Sequence, residues 1–249
     1  GLAGCSNDDT PGAVATSTIA PSTTPIVSPT VEVSPTSSAP ASTASPVATA
    51  NEPVAFATPD GVTIRGHLFS APGPKRGIAI FASTDPTQQA WQPYASDLAA
   101  EGVALLTLDF RGYGETGGTK DDSRIDADLE AAVRFLRSRE YPLIYVVGAG
   151  AGGTAALKVA ARLEMAGVAT LSAPRSAGGL DASADVAQIS VPKLFLAGSG
   201  DADAAAAQAF FMETASAPKE GEVFAGAASA EELLSLPEAL QLLLDFLSP

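Results

Sequence analysis

The sequence predicts an α/β protein with a mostly parallel central sheet covered by helices on both faces. Three observations carry this. After an opening hairpin, strand-like apolar runs alternate with helical patterns from Val54 to the end of the chain. The internal runs, such as Gly77 to Ala82 (GIAIFA) and Val103 to Phe110 (VALLTLDF), are apolar at nearly every position. Both faces of such strands are buried, as in a parallel sheet under helices. The strongest helix pattern places Ile125, Leu129, Val133 and Leu136 at i, i+4, i+8 and i+11, one apolar stripe for a sheet to cover.

Each element follows in order. Val54 to Phe69 reads as two strands joined at Pro59-Asp60-Gly61, a turn sequence that reverses a hairpin. After the strand from Gly77, a helix holds Trp91, Ala95 and Leu98 on one face. The strand from Val103 leads to the helix through Ile125. Its acids (Asp126, Asp128, Glu130) precede its bases (Arg134, Arg137, Arg139), as the helix dipole prefers. Leu143 to Val147 is a strand, followed by a Gly/Ala turn and a helix over Thr154 to Glu164. Val168 to Leu171 and Lys193 to Gly198 are strands, and Asp203 to Thr214 a helix. Gly221 to Gly226 is the last strand and Pro237 to Leu247 a final amphipathic helix. The segment between Pro174 and Pro192 is too short for a separate lid domain. On such a sheet ligands sit at the carboxyl ends of the strands, where the Gly/Ala turn lies.

Composition divides the chain into residues 1–5, 6–50 and 51–249. Residues 6–50 are nearly all Ala, Ser, Thr, Pro and Val, with no aromatic residue and no Lys or Arg. Such a segment cannot bury enough apolar surface to offset its ordering entropy, which predicts an extended, disordered tether. The formal charge is −14, and only Asp8, Asp9 and Glu32 are acidic before residue 51. The folded part is therefore acidic, which argues against nucleic acid and against anionic lipid bound through a charged face. The single cysteine, Cys5, excludes a disulfide framework. Leu2-Ala3-Gly4-Cys5 resembles the bacterial lipobox, whose cysteine becomes the acylated N-terminus after signal-peptide cleavage. That resemblance implies a trimmed signal peptide, a lipid anchor at Cys5 and an extracytoplasmic location at the cell envelope. No other stretch reaches the roughly 18 apolar residues of a membrane span.

Tyr145 to Leu157 (YVVGAGAGGTAAL) carries the functional question. Gly148-x-Gly150-x-x-Gly153 matches the dinucleotide fingerprint by letter. That motif needs an acid about 20 residues on, at the end of the next strand, to hold a ribose. Here Leu171 is followed by Ser172-Ala173-Pro174, with no acid. The motif also opens its domain, whereas this turn follows several strands. No cofactor is expected.

As Gly148-x-Gly150-x-Gly152 the same letters form a Gly-x-Ser-x-Gly elbow with glycine at the nucleophile. With its neighbours, this turn resembles the α/β-hydrolase family, in its small lidless esterase and dienelactone-hydrolase-like branch. Leu108 to Gly118 (LDFRGYGETGG) is similar to that family's Asp-x-Arg-Gly-x-Gly-x-Ser turn, with Thr116 for the serine. Pro192 to Ala205 (PKLFLAGSGDADAA) looks like the strand and loop that supply the acid, and Val223 to Leu234 (VFAGAASAEELL) like the loop that supplies the histidine. The resemblance implies an α/β-hydrolase fold without a lid and places the triad on Gly150, Asp201 and Ser229. Glycine has no attacking atom, and serine is no base near neutral pH. His67, the sole histidine, lies early, on the second strand of the hairpin. It reads as an ordinary strand residue. The family's oxyanion donors fall near Ala82, Ser83 and Ala151, where backbone N–H groups persist whatever the side chains.

The expectation is a dismantled triad in a domain that binds a small acyl or ester ligand, an acid, a peptide or a protein partner. An active hydrolase with an unorthodox nucleophile, Ser83 or Ser199, is the alternative; a nucleotide binder is a second. With one histidine and no further acidic cluster at ligand spacing, no metal site is expected.

Overall fold

The structure, a computed structural model, describes residues 50–74 and 76–248. The expectations for Cys5 and for the tether lie outside the described residues.

The hairpin forms as β1 (Ala50–Ala57) and β2 (Thr63–Ser70), paired antiparallel. Asp60 in its turn accepts the Thr58 hydroxyl at 2.6 Å, which holds the reversal. β3 (Gly77–Ser83) and β4 (Val103–Asp109) bracket a 3₁₀ segment, Gln88–Tyr94, that runs into α1 (Ala95–Ala100). Next come α2 (Ile125–Ser138), β5 (Leu143–Ala149), α3 (Ala151–Ala160) and β6 (Gly167–Leu171). A short antiparallel ribbon, β7 (Ser176–Ala177) and β8 (Leu180–Asp181), fills part of the connection from Pro174 to Pro192. β9 (Lys193–Gly198), α4 (Ala202–Thr214), β10 (Lys219–Phe224), α5 (Ala230–Leu234) and α6 (Pro237–Leu247) complete the described chain.

Eight strands form one sheet in the order β1-β2-β4-β3-β5-β6-β9-β10. All pairs from β4 to β10 are parallel, and the antiparallel hairpin lies at one edge. Alternation within β3 shows the two-sided burial. Ile78 and Ile80 join the layer with α2, α3 and α4, while Ala79 and Phe81 join the layer with α1, α5 and α6. Ile125, Leu129, Val133 and Leu136 are fully buried under the first layer, as their spacing requires. The predicted mostly parallel sheet under two helical layers, without a lid, is therefore what forms.

Two details differ from the sequence reading. The helix expected over Thr154 to Glu164 starts three residues earlier and ends at Ala160. Glycines are poor helix formers, so propensity points past them. Here close packing against neighbouring strands draws Gly152 and Gly153 into the first turn instead. Asp128 also does more than suit the dipole. It is fully buried and accepts Nε of Arg111 at 2.9 Å and Nη2 at 2.6 Å. Arg111 donates onward to Asp60 at 2.8 Å, so one guanidinium ties the hairpin turn to α2. These bonds hold Arg111 above, and Asp60 well below, their ordinary pKa ranges.

Candidate functional site

β5 ends at Ala149 and α3 begins at Ala151, so the whole reversal falls on Gly150. Its φ of 53° and ψ of −126° lie where L side chains are strained. Gly150 N–H donates to the Leu171 carbonyl at 3.0 Å, and the Gly150 carbonyl accepts from Gly153 N–H at 2.9 Å. A Cβ added at Gly150 would meet nothing within 4 Å. The other glycines of the turn are the opposite case. A Cβ on Gly148 would collide with the Gly152 carbonyl, one on Gly152 with the Ala82 carbonyl, and one on Gly153 with the Ala173 methyl. Three glycines are thus required for close approach, and the fourth carries a strained backbone toward open space. Gly152 presses on the Ala82 carbonyl and Gly153 on the Ala173 methyl, so the first turn of α3 packs closely on its neighbours.

Asp201 and Ser229 are both helix caps. Asp201 Oδ1 accepts from the backbone N–H of Asp203 at 3.1 Å and of Ala204 at 3.0 Å, opening α4. Ser229 Oγ accepts from Glu232 N–H at 3.1 Å, opening α5, and Glu232 Oε2 accepts from Ala228 N–H at 2.7 Å. This near-reciprocal arrangement is the capping box of the Ser229-x-x-Glu232 sequence, a signal present in the letters that the triad reading passed over. The loops carrying the two residues touch: Gly200 N–H donates to the Ala227 carbonyl at 2.8 Å. Gly150, Asp201 and Ser229 therefore all stand past the carboxyl ends of parallel strands, β5, β9 and β10.

The alternative nucleophiles are engaged in structural bonds. Ser83 is buried at the end of β3, where its hydroxyl donates to the Pro86 carbonyl and accepts Trp91 Nε1–H at 3.0 Å. Ser199 Oγ accepts Gly226 N–H at 3.1 Å. Thr154 Oγ1 donates to the Pro174 carbonyl at 2.7 Å. His67 sits on β2 with Nδ1 2.8 Å from Asn51 Oδ1 and Nε2 3.4 Å from Glu115 Oε1, and β4 and β3 separate its strand from β5. At the oxyanion positions, Ala82 turns its carbonyl oxygen toward Gly152. The N–H groups of Ala151 and Gly152 belong to the first helical turn, whose donors have no intrahelical acceptor.

The Asp-x-Arg-Gly-x-Gly turn braces the neighbouring loop. Asp109 is fully buried, and its carboxylate accepts Gln88 N–H at 2.9 Å, Gln88 Nε2–H at 2.8 Å and Glu115 N–H at 2.8 Å. Thr116, in the serine's place, donates to the Asp109 carbonyl at 2.6 Å and accepts Arg65 N–H at 2.9 Å. Two shallow cavities open on the loops that follow β3 and β6, the strands flanking β5. One of 370 Å³ is lined by Thr84, Asp85, Tyr113 and Lys120. The other, of 280 Å³, is lined by Pro174, Arg175, Asp203 and Ala206. Burial and the Asp122 carboxylate, which accepts the Tyr113 hydroxyl at 2.8 Å, push that phenol up to about 12.

Sequence reasoning missed Ser172. It follows β6, has φ of 48° although it is not glycine, and is 6 % exposed. Its Oγ is the one buried side-chain polar atom among the described residues without a hydrogen-bond partner. An unpaired buried hydroxyl costs about 1–3 kcal/mol. No letter in the sequence signals this, because Ser-Ala-Pro after a strand reads as an ordinary strand end. Among the described residues, no group of three or more His, Cys, Asp or Glu is placed to hold a metal ion.

No protein-family model matches this chain, and no curated protein matches it. Solved structures do. The esterase domain of a Rhodothermus marinus protein is 20% identical, with a TM-score of 0.63 over 80% of this chain and 96% of its own. A dienelactone hydrolase from Anabaena variabilis is 21% identical, with a TM-score of 0.64 over 80% of this chain and 95% of its own. An α/β serine hydrolase without a lid from Xanthomonas campestris is 20% identical, with a TM-score of 0.62 over 78% of this chain and 92% of its own. These likenesses establish the fold: a lidless, dienelactone-hydrolase-like α/β-hydrolase fold.

Proposed function

Starting from an α/β-hydrolase fold, we propose that this domain is a non-catalytic binding module, held at a bacterial cell envelope by a lipid anchor at Cys5. The observation that carries the reading is the elbow. Gly150 keeps the strained backbone of a nucleophile position and points an absent side chain into open space. Asp201 uses Oδ1 and Ser229 uses Oγ as helix caps, which gives each a structural role that needs no catalysis. Retaining a strained turn after losing its attacking atom favours a role for the cleft as a place that holds a small acyl ligand, an acid or a peptide, or a protein partner. The anchor rests on Leu2-Ala3-Gly4-Cys5 and on the Pro/Ser/Thr-rich residues that follow it.

The test is labelling of the purified protein with a fluorophosphonate probe, together with ester turnover. We expect no labelled serine and no turnover above background; a labelled serine overturns the reading. The esterase descriptions of the structural neighbours favour a second reading, turnover through Ser83 or Ser199. Both hydroxyls are engaged in structural bonds, and the sole histidine lies on β2. Turnover abolished by Ser83→Ala or Ser199→Ala would establish that reading. For the anchor, acyl chains on the Cys5 peptide and release of a Cys5→Ala variant from membranes are the expected results.

A further inference from the structure

We propose that the cavity between α4 and the ribbon β7–β8 binds a free α-amino acid as its zwitterion, with the carboxylate on Arg175 and the ammonium on Asp203. This goes beyond the reading of the elbow, because no group of Gly150 or its turn takes part. The cavity, of 280 Å³, is lined by Pro174, Arg175, Ser176, Asp203, Ala206 and Ala207. It lies past the carboxyl ends of β6 and β9, where this architecture holds its ligands.

One face of α4 forms the floor. Asp203, Ala207 and Phe210 recur at i, i+4 and i+7, so they share that face, and the small side chains of Ala206 and Ala207 leave a hollow between its two ends. At one end the Arg175 guanidinium stacks on the Phe210 ring, 4.2 Å from its centroid. Its Nε donates to Ser183 Oγ at 3.3 Å, and the Arg175 carbonyl accepts Ala182 N–H at 3.0 Å. The ring and the ribbon thus hold the fork in place, and neither Nη has a partner among the described residues. At the other end, Asp203 uses its backbone N–H on Asp201, while its carboxylate pairs with nothing among the described residues. Asp181, opposite Ser176 in the ribbon, gives Oδ1 to Ser183 N–H at 2.7 Å.

One cavity therefore carries an unpaired guanidinium and an unpaired carboxylate that do not join each other. A lone anion would face Asp203 and a lone cation would face Arg175, whereas a neutral molecule would leave both charges unmatched. A zwitterion matches both, and the planar fork of Arg175 suits a carboxylate. Asp203 and Phe210 stand about 10 Å apart along the helix axis, and a long side chain on a helix leans toward its N-terminus, which draws the guanidinium back over the alanines. Two charge-assisted hydrogen bonds of about 2.8 Å and the short backbone of an amino acid bridge the rest.

The experiment is a titration of the full chain with L-alanine, N-acetyl-L-alanine, L-alanine amide and dialanine, followed by the amide NMR signals of Arg175, Ser176, Ala206 and Ala207. Alanine is expected to shift them saturably. N-acetyl-L-alanine lacks the ammonium and L-alanine amide the carboxylate, so each should bind at least about tenfold more weakly. Arg175 and Asp203 are both exposed, so Arg175→Gln and Asp203→Asn should fold as wild type does, and each should weaken alanine about tenfold. Asp203→Asn should also tighten N-acetyl-L-alanine, because it removes the repelling carboxylate. Ala206→Leu fills the hollow without changing a charge and should abolish the shifts. The proposal is overturned by the absence of saturable shifts, by equal binding of alanine and either capped form, or by unchanged affinity in either charge variant. Tighter binding of dialanine than of alanine overturns the assignment to a free amino acid. Fluorophosphonate labelling of a serine, which overturns the non-catalytic reading, has no bearing on these titrations, so the two failures are distinguishable.

Discussion

Gly150 and Gly152 are two residues apart and are glycine for different reasons. At Gly150 the constraint is the backbone, since φ is 53° and the surrounding space is open. At Gly152 it is volume, because the Ala82 carbonyl occupies the place of a Cβ. Gly150→Ala should therefore cost about 1–3 kcal/mol of stability through strain alone. Gly152→Ala must move a backbone and should cost about 3 kcal/mol or more. Urea unfolding of the two variants checks the order. If Gly150→Ala proves the more damaging, then position 150 is packed and not open, and the case for a vacated side-chain position fails with it. The letters of the sequence show four glycines without ranking them. The ranking depends on Ala82 and Ala173, which arrive from β3 and from the segment after β6.

Asp201 and Ser229 each have a structural task, as the caps of α4 and α5. Ser229→Ala should cost about 1 kcal/mol, and Ser229→Asp should restore most of it, because either side chain offers an oxygen to Glu232 N–H. A serine retained for a hydrolytic role would not be rescued in this way, and failure of Ser229→Asp in thermal unfolding would discount the cap. A second element-scale test concerns α2. Arg111 is 4 % exposed and Asp128 fully buried, so Asp128→Ala leaves a guanidinium short of its main partner and should cost about 3–5 kcal/mol. Replacing both, as Arg111→Met with Asp128→Leu, should recover much of that loss, and chemical denaturation of the single and double variants measures the difference. The helix itself was legible from its apolar stripe. The role of Asp128 was not, since an acid in a first helical turn has a sufficient local explanation in the dipole.

Across the whole molecule, local patterns specified the layers and long-range meetings specified the site. Two-sided apolar runs announced a parallel sheet, and strand order placed Gly150, Asp201 and Ser229 past the ends of β5, β9 and β10. That Asp60, Arg111 and Asp128 share one network, and that Thr116 holds Arg65 N–H, depend on chain segments distant in sequence. Lys193, which opens β9, is 1 % exposed. Its ammonium donates to the Ile189 carbonyl at 2.9 Å and the Val191 carbonyl at 2.7 Å, and among the described residues no carboxylate pairs with it. Burial, and then the charge of Lys219, lower its pKa below 10.5. Between that lowered value and 10.5 the unfolded chain binds more protons at this residue than the folded one, so its contribution to stability rises with pH across the window. Tyr94, Tyr141 and Tyr145 act in the opposite sense. Burial raises each above 10.0, so the stability they confer holds below 10.0 and is lost as pH climbs through their folded values. The total is therefore a poor readout, and the difference between wild type and Lys193→Met is a clean one, because the tyrosines cancel. In the variant, Ser216 Oγ still donates to the Ile189 carbonyl at 2.8 Å, which limits the loss of bonding. Urea midpoints of the two proteins should diverge in favour of wild type as pH approaches 10.5 from neutrality, since only wild type sheds a buried charge there. A difference that stays flat over that range would mean that Lys193 carries its charge in the fold as easily as in water, and that its carbonyl cage offsets the full cost of burial.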